Sequence, residues 1–264
     1  MNTTKNASTK VEMKKMKRTF SFILFIVLFA FSIWFVKMNP IELVQSLPTF
    51  IQFLFTDFFP PNISDIKTYI GPVVDTIIFA VIATCFSSLF GIVIGFLMAH
   101  NTTPHPVFRI VFRGGISFLR NIPFLVWASI LVVIFGVGTM PGLFALVLFG
   151  TSFLSRVYAE AIEELDKEVG EALDACGASY LQKLKHAIIP QFLPSFYSWS
   201  LFMFEINIRA SAILGLVGAG GLGSIIKQTM DLFQYSKTST AIAIMVVLIL
   251  MVEYVTHRVR ERLI

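Results

Sequence analysis

Charge is scarce in this chain. Only 14% of its 264 residues are Asp, Glu, Lys or Arg, where a soluble domain carries about a quarter. Cysteine is rarer still: Cys85 lies in an apolar run and Cys176 in a polar stretch. Two isolated thiols supply neither a disulfide framework nor a set of metal ligands. The four histidines, His100, His105, His186 and His257, are scattered, and none forms the H-E-x-x-H pattern of a zinc hydrolase. Paired acids or a histidine cluster, which a membrane-embedded enzyme would need, are missing; Glu205 with Arg209 is the nearest approach. We therefore expect no catalytic residues and no metal ligands.

What the chain has in abundance is apolar surface. Hydrophobic residues make up 56% of it and Phe alone occurs 28 times, a balance suited to a lipid solvent. A spanning helix needs roughly 20 apolar residues. Six segments approach this: Phe20–Val36, Val73–Ala99, Asn121–Phe135, Pro141–Val157, Phe192–Val217 and Thr238–Thr256. The first follows a basic stretch as a signal peptide would, but its apolar run is long and no small-residue cleavage site follows it, so it reads as a retained anchor.

Orientation follows the Lys and Arg residues of short loops. The N-terminal tail, the segment holding Arg109, Arg113 and Arg120, the loop after the fourth span and the C-terminal tail together carry sixteen. The opposite side has four, Lys37, Lys67, Lys227 and Lys237, and Arg209 lies within a span. This split predicts about six transmembrane helices with both termini cytoplasmic. It divides the chain into a basic cytoplasmic tail (1–19), a first anchor (20–36), an outer amphipathic segment (37–72) and a main transmembrane domain (73–264) with a long cytoplasmic loop at 158–190. In the outer segment, "IELVQSLPTFIQFLF" reads as an interfacial amphipathic stretch broken by Pro48.

"LGLVGAGGLGSII" contains G-x-G-x-x-G at Gly218, Gly220 and Gly223. A dinucleotide fingerprint also needs a strand before it, a helix after it and an acid about 20 residues on. Here the preceding segment belongs to a membrane span and Asp231 comes too soon, so the dinucleotide reading fails. Two uses remain for Gly218, Gly220, Gly221 and Gly223: a tight turn back toward the sixth span, or a concavity of backbone N–H groups friendly to an anion.

The loop "YAEAIEELDKEVGEALDACGASYLQKLKHAIIP" is the one strongly acidic segment, with seven acids. Ala161, Leu165, Val169, Ala172 and Leu173 recur at helical steps. Gly177 interrupts, and a second short helix follows with Leu181, Leu184, Ala187 and Ile188 on one side, closed by Pro190. Within it, "EALDACGASYLQKLKHAIIP" resembles the E-A-A-x-x-x-G-x(9)-I-x-L-P loop of ABC-importer permeases. Glu171, Ala172, Gly177 and Pro190 fall at the family's spacing. Leu173, Ala187 and Ile189 depart from it but keep apolar character.

"FEINIRASAILGLVGAGGLG", together with "RNIPFLVWA" and "AEAIEELD" upstream, is similar to phosphonate-type permeases from about Arg109 to the C-terminus. Methionine-importer permeases share the glycine segment in looser form. The resemblance implies an all-α, type I ABC-importer permease (MetI-like) architecture in the bacterial plasma membrane. It implies a loop in which Glu171, Ala172, Gly177, Ala178 and Pro190 couple to an ATPase. The implied partners are two ABC ATPase subunits, which hold ATP and Mg, an extracytoplasmic solute-binding protein, a second permease copy or paralogue, and membrane lipid; nothing points to nucleic acid. The implied cargo is a phosphonate or a related phosphorus oxyanion. A methionine-type permease, a membrane-embedded enzyme and an ATP-independent transporter are the alternatives.

Ionisable groups inside a span pair, face the bundle interior or mark a pathway. Glu205 and Arg209 are four apart, on one helix face in the favourable order, with Asn207 on another. Either they neutralise each other, or Arg209 faces the translocation pathway and meets an anion. Asp75 is expected to cap the second span, and Arg109, Arg113 and Arg120 to meet anionic headgroups.

Overall fold

A computed structural model describes residues 3–263 apart from Met38, Ser64 and Leu216. Among the described residues there are helices and no strands. The chain divides into two compact units, Met1–Asp57 and Phe58–Ile264.

The first unit holds α1 (Thr3–Phe35) and α2 (Pro40–Phe53). In α1 the basic stretch and the apolar run form one 33-residue helix. Asn39 caps α2 by accepting from the Ile41 N–H at 3.1 Å, while its amide reaches Glu42 at 2.9 Å. Contrary to the expected break, α2 runs through Pro48. A mid-helix proline removes one backbone bond; the cap and the turns on either side keep the rest.

In the second unit a 3-10 turn (Ile66–Tyr69) leads into α3 (Ile70–Met98). Asp75 therefore lies in the second turn of the helix, exposed, and is not its cap. His105 caps α4 (Pro106–Asn121), with Pro106 in the first turn where its missing N–H costs nothing. α5 (Phe124–Phe135) follows after a bend of 88° at Ile122–Pro123, where a proline restricts the residue before it to extended backbone. The Trp127 indole N–H spans this bend to the Leu119 carbonyl at 3.5 Å. After α6 (Thr139–Glu163) come α7 (Lys167–Ala175), α8 (Tyr180–Lys183) and a π turn (Leu184–Ile188). The unit closes with α9 (Ile189–Gly215), α10 (Gly221–Asp231) and α11 (Tyr235–Leu263).

Lipid offers little hydrophobic drive between helices, so close approach of small residues and hydrogen bonds must hold them. The core of α3, α6 and α9 is built this way. A Cβ on Gly91 or Gly95 of α3 would come within 2.9 Å of Leu154 and 3.0 Å of Tyr158 on α6. Tyr158 stacks edge-on with Phe192, and its hydroxyl shares a 2.7 Å bond with Ser200, which also accepts from Ser88. Trp199 packs against Phe153 in the same core.

Among the described residues, four stretches are long and apolar enough to cross a membrane: Met13–Phe35, Ile66–Met98, Thr139–Glu163 and Tyr235–Arg262. A fifth exists if α4 and α5 together make one broken span. The expected third span, Asn121–Phe135, is only the 12-residue α5, about 18 Å long. The expected fifth corresponds to α9, whose 27 residues are long enough, at about 40 Å. Its Glu205, Asn207, Arg209 and serines keep it out of the apolar set.

Candidate functional site

The loop between α6 and α9 is a capped, cross-braced bend. Asp166 caps α7 by accepting from the Glu168 N–H at 2.9 Å. At the other end Gly177 takes φ +73°, and the N–H groups of Gly177 and Ala178 return to the carbonyls of Asp174 and Leu173. This left-handed residue after the last turn is a glycine terminator. Ser179 then restarts the chain through a capping box with Gln182. Across the bend, the Lys183 ammonium meets Asp174 at 2.5 Å. Under it lies a cavity of about 300 Å³ lined by Ile162, Asp166, Gly170, Glu171, Lys183 and Ile188 among others.

Glu171, Ala172, Gly177 and Pro190 are exposed on this bend and Ala178 is half-buried. The expected apolar stripe is only partly right. Ala187 and Ile188 are buried and Leu165, Leu173 and Leu184 pack against the core, but Ala161 belongs to α6 and Leu181 is 71% exposed. Pro190 does not close the second helix. α9 begins at Ile189, directly after the π turn, so Pro190 sits within a continuous helical run, and its missing N–H removes one bond to the turn before it.

Two further contacts, absent from the sequence reading, hold the loop to the turn after α3. The Tyr180 hydroxyl donates to the Thr102 carbonyl at 2.5 Å. Glu163, the last residue of α6, accepts from Arg113 at 2.6 Å and from the His100 N–H at 2.8 Å. Arg113 thus has a protein carboxylate as partner, and also reaches the Met98 carbonyl, in place of the expected headgroup.

At the far end of α9 the glycine segment is a turn wedged among three elements. Gly218 and Gly220 take φ +90° and Gly221 φ +68°. A side chain at Gly218 would come within 2.5 Å of Val137, and one at Gly221 within 2.7 Å of the Thr76 hydroxyl. A Cβ on Gly223 would collide with the Ala212 carbonyl, so α10 lies against the backbone of α9. The Leu222 N–H is already donated to Thr76 of α3 at 3.0 Å. Both the positive φ values and the close approaches favour the turn.

The intrahelical Glu205–Arg209 pair does not form. Each finds its partner on antiparallel α11. Glu205, 6% exposed, is held at 2.5 Å by Arg260 and also accepts from the Thr256 hydroxyl. Arg209 meets Glu253 at 3.2 Å, with side chains 45% and 54% exposed respectively. Glu253, Thr256 and Arg260 lie three, four and seven apart, hence on one face of a helix, and that spacing was readable. Asn207 is buried; its amide donates to Thr84 of α3 at 2.9 Å, while its carbonyl oxygen has no protein partner among the described residues. No group of His, Cys, Asp and Glu among the described residues could hold a metal ion.

Residues 91–264 match the family model described as the binding-protein-dependent transport system inner membrane component. The chain is 33% identical over 221 residues to the phosphite transport system permease protein of Stutzerimonas stutzeri, covering 83% of this chain and 80% of that protein. It is 31% identical over 230 residues to the phosphate-import permease protein of Mycolicibacterium smegmatis, covering 87% of this chain and 43% of that protein. Among solved structures it resembles a chain of the MetNI methionine ABC transporter in an inward-facing conformation. There the TM-score is 0.67 at 21% identity, over 76% of this chain and 99% of that one. The fold is therefore the all-helical, MetI-like permease fold, in a transport component and not an enzyme. This chain belongs to the family of binding-protein-dependent transport system inner membrane components.

Proposed function

We propose that this ABC-importer permease moves phosphite, an alkylphosphonate or a related phosphorus oxyanion into a bacterial cell by alternating access. The observation that carries the substrate class is the 33% identity to a phosphite permease over 83% of this chain. In this reading α9 supplies a span in addition to the apolar set and the α4–α5 pair supplies another. That gives six spans and puts both termini, with most of the Lys and Arg residues, in the cytoplasm. Two ATPase subunits, which bind ATP and Mg, dock on the α7–α8 bend of this chain and of a second permease, copy or paralogue. An extracytoplasmic binding protein delivers the anion at the end bearing the glycine turn. The exposed Glu171, Ala172 and Gly177, with half-buried Ala178 and the nearby Pro190, meet the ATPase, while Arg209 attracts the anion in the pathway.

A methionine-type permease is the second reading, favoured by the fold match to the methionine transporter. At 21% identity that match speaks for the fold.

The test is deletion of the chain followed by growth on a single phosphorus source: phosphite, methylphosphonate or phosphate. Growth failing on one oxyanion, and restored by the intact gene but not by a membrane-inserted Gly177→Val variant, is the expected result. Unimpaired growth on all three, in cells without a redundant importer, overturns the substrate assignment.

A further inference from the structure

α9 and α11 are joined by two rungs of opposite charge that differ in kind. The Glu205–Arg260 rung is largely buried, with Arg260 partly exposed, and is closed by Thr256. The Arg209–Glu253 rung is about half exposed, longer at 3.2 Å, and held by one hydrogen bond. Removing a partner from a buried pair costs about 3–5 kcal/mol, whereas an exposed pair is worth about 0.2–1 kcal/mol. The first rung is a fixture and the second can be exchanged.

Where the exposed rung faces follows from its surroundings. Glu253 lies within the apolar stretch Tyr235–Arg262. Ionisable residues within spans almost always pair and face the bundle interior or a water-filled cavity. The face bearing Arg209 and Glu253 therefore turns toward water or another protein chain. Beside it, an open cavity of about 410 Å³ is lined by Leu250, Glu253, Tyr254, His257 and Arg260. That is many times the roughly 30 Å³ share of one water molecule and ample for a small oxyanion. Among the described residues, the buried Arg260 Nε–H has no protein partner.

We propose that Glu253 is an internal stand-in for the transported anion. It neutralises Arg209 while the pathway is empty, yields the guanidinium to the oxyanion, and by returning to Arg209 helps expel the anion. This rests on Arg209 lying in the pathway, and makes Glu253 a positioning residue for release. Its competition with the anion is as large as the pair is strong, so removing the carboxylate should strengthen anion retention about two- to fivefold.

The experiment uses the assembled importer, with its ATPase and binding protein, in proteoliposomes loaded with ATP and graded phosphite. Arg209→Gln is expected to lose uptake of external phosphite by more than about tenfold and Arg209→Lys to recover part of it, as expected when a bidentate guanidinium gives way to a point charge. Glu253→Gln is expected to keep importing, but with half-inhibition by lumenal phosphite at a concentration about two- to fivefold lower. The exchanged pair Arg209→Glu/Glu253→Arg restores the rung but moves the cation to α11, and is expected to stay inactive. Co-purification of the ATPase verifies assembly of each variant, and both side chains are exposed enough to leave the core intact. Restored uptake in the exchanged pair, or unmoved lumenal inhibition in Glu253→Gln, overturns the proposal. If the wild-type complex imports neither phosphite nor methylphosphonate, the substrate reading fails instead.

Discussion

The hydroxyl of Tyr180 donates to the carbonyl of Thr102 at 2.5 Å. The shortest α-helix of the loop between α6 and α9 is thereby tied to the turn that ends α3. A push on α8 reaches two core helices, α9 by chain continuity and α3 by this bond. A neutral hydrogen bond contributes about 0.5–1.5 kcal/mol, so Tyr180→Phe should fold and assemble. We expect an importer assembled with this variant to hydrolyse ATP, through its ATPase subunits, near the wild-type rate but to import fewer anions per ATP, measured as paired ATPase and uptake rates in proteoliposomes. An unchanged ratio would show that the chain path alone suffices.

Gly177 is the one described residue of the bend with a positive φ. Nothing lies within 4 Å of a Cβ placed there, so the penalty for a side chain is conformational, about 1–2 kcal/mol for a left-handed residue. Gly177→Ala should lower the fraction of permease that retains its ATPase through purification. Gly177→Asn, which tolerates that conformation better, should retain more.

Gly223→Ala should be far more damaging than Gly114→Ala, although both lie in helices. A methyl group at Gly223 runs into the Ala212 carbonyl, whereas Gly114 faces open space. Overpacking of this kind costs about 1–3 kcal/mol. Thermal unfolding in detergent should show a clear drop for Gly223→Ala and none for Gly114→Ala. Gly220→Ala is the milder probe of the turn: φ is +90° there and the nearest neighbour of a Cβ is Thr139 at 3.4 Å. Normal transport by that variant would remove the case for a backbone confined at Gly220.

Glu205→Gln leaves Arg260 without its buried carboxylate, and a loss of about 3–5 kcal/mol is the scale for breaking such a pair. Glu205→Gln/Arg260→Met should regain much of the lost thermal stability, because the uncompensated charge goes too. No regain would mean that Arg260 stabilises the bundle through contacts other than Glu205.

Local signals were legible in the sequence where they act locally. The glycine interruption at Gly177, the acidic loop and the failure of G-x-G-x-x-G as a nucleotide loop all follow from spacing and nearest neighbours. The partners of Glu205 and Arg209 were a different matter. An i,i+4 pairing is the best guess from one helix alone, but antiparallel α11 places Arg260 and Glu253 opposite those charges. Only the helix register decides between the two. Prolines misled for a similar reason: Pro48 and Pro190 were read as stops, yet one lies inside α2 and the other in the first turn of α9. Two of the six expected spans do not stand out by apolar length alone, because length and polarity trade off: α5 is apolar but short and α9 is long but polar.

The position of Pro190 has a mechanical consequence. With no break between the π turn and Ile189, α9 runs about 40 Å from the loop bend to the glycine turn, and beyond Pro194, the proline inside it near the driven end, it can act as a lever. Tilting such a lever by about 10° would carry its far end by about a full helical turn. A small displacement at Lys183 and Leu184 is thus magnified at Gly215, where the backbone of α10 rests directly against the lever's tip.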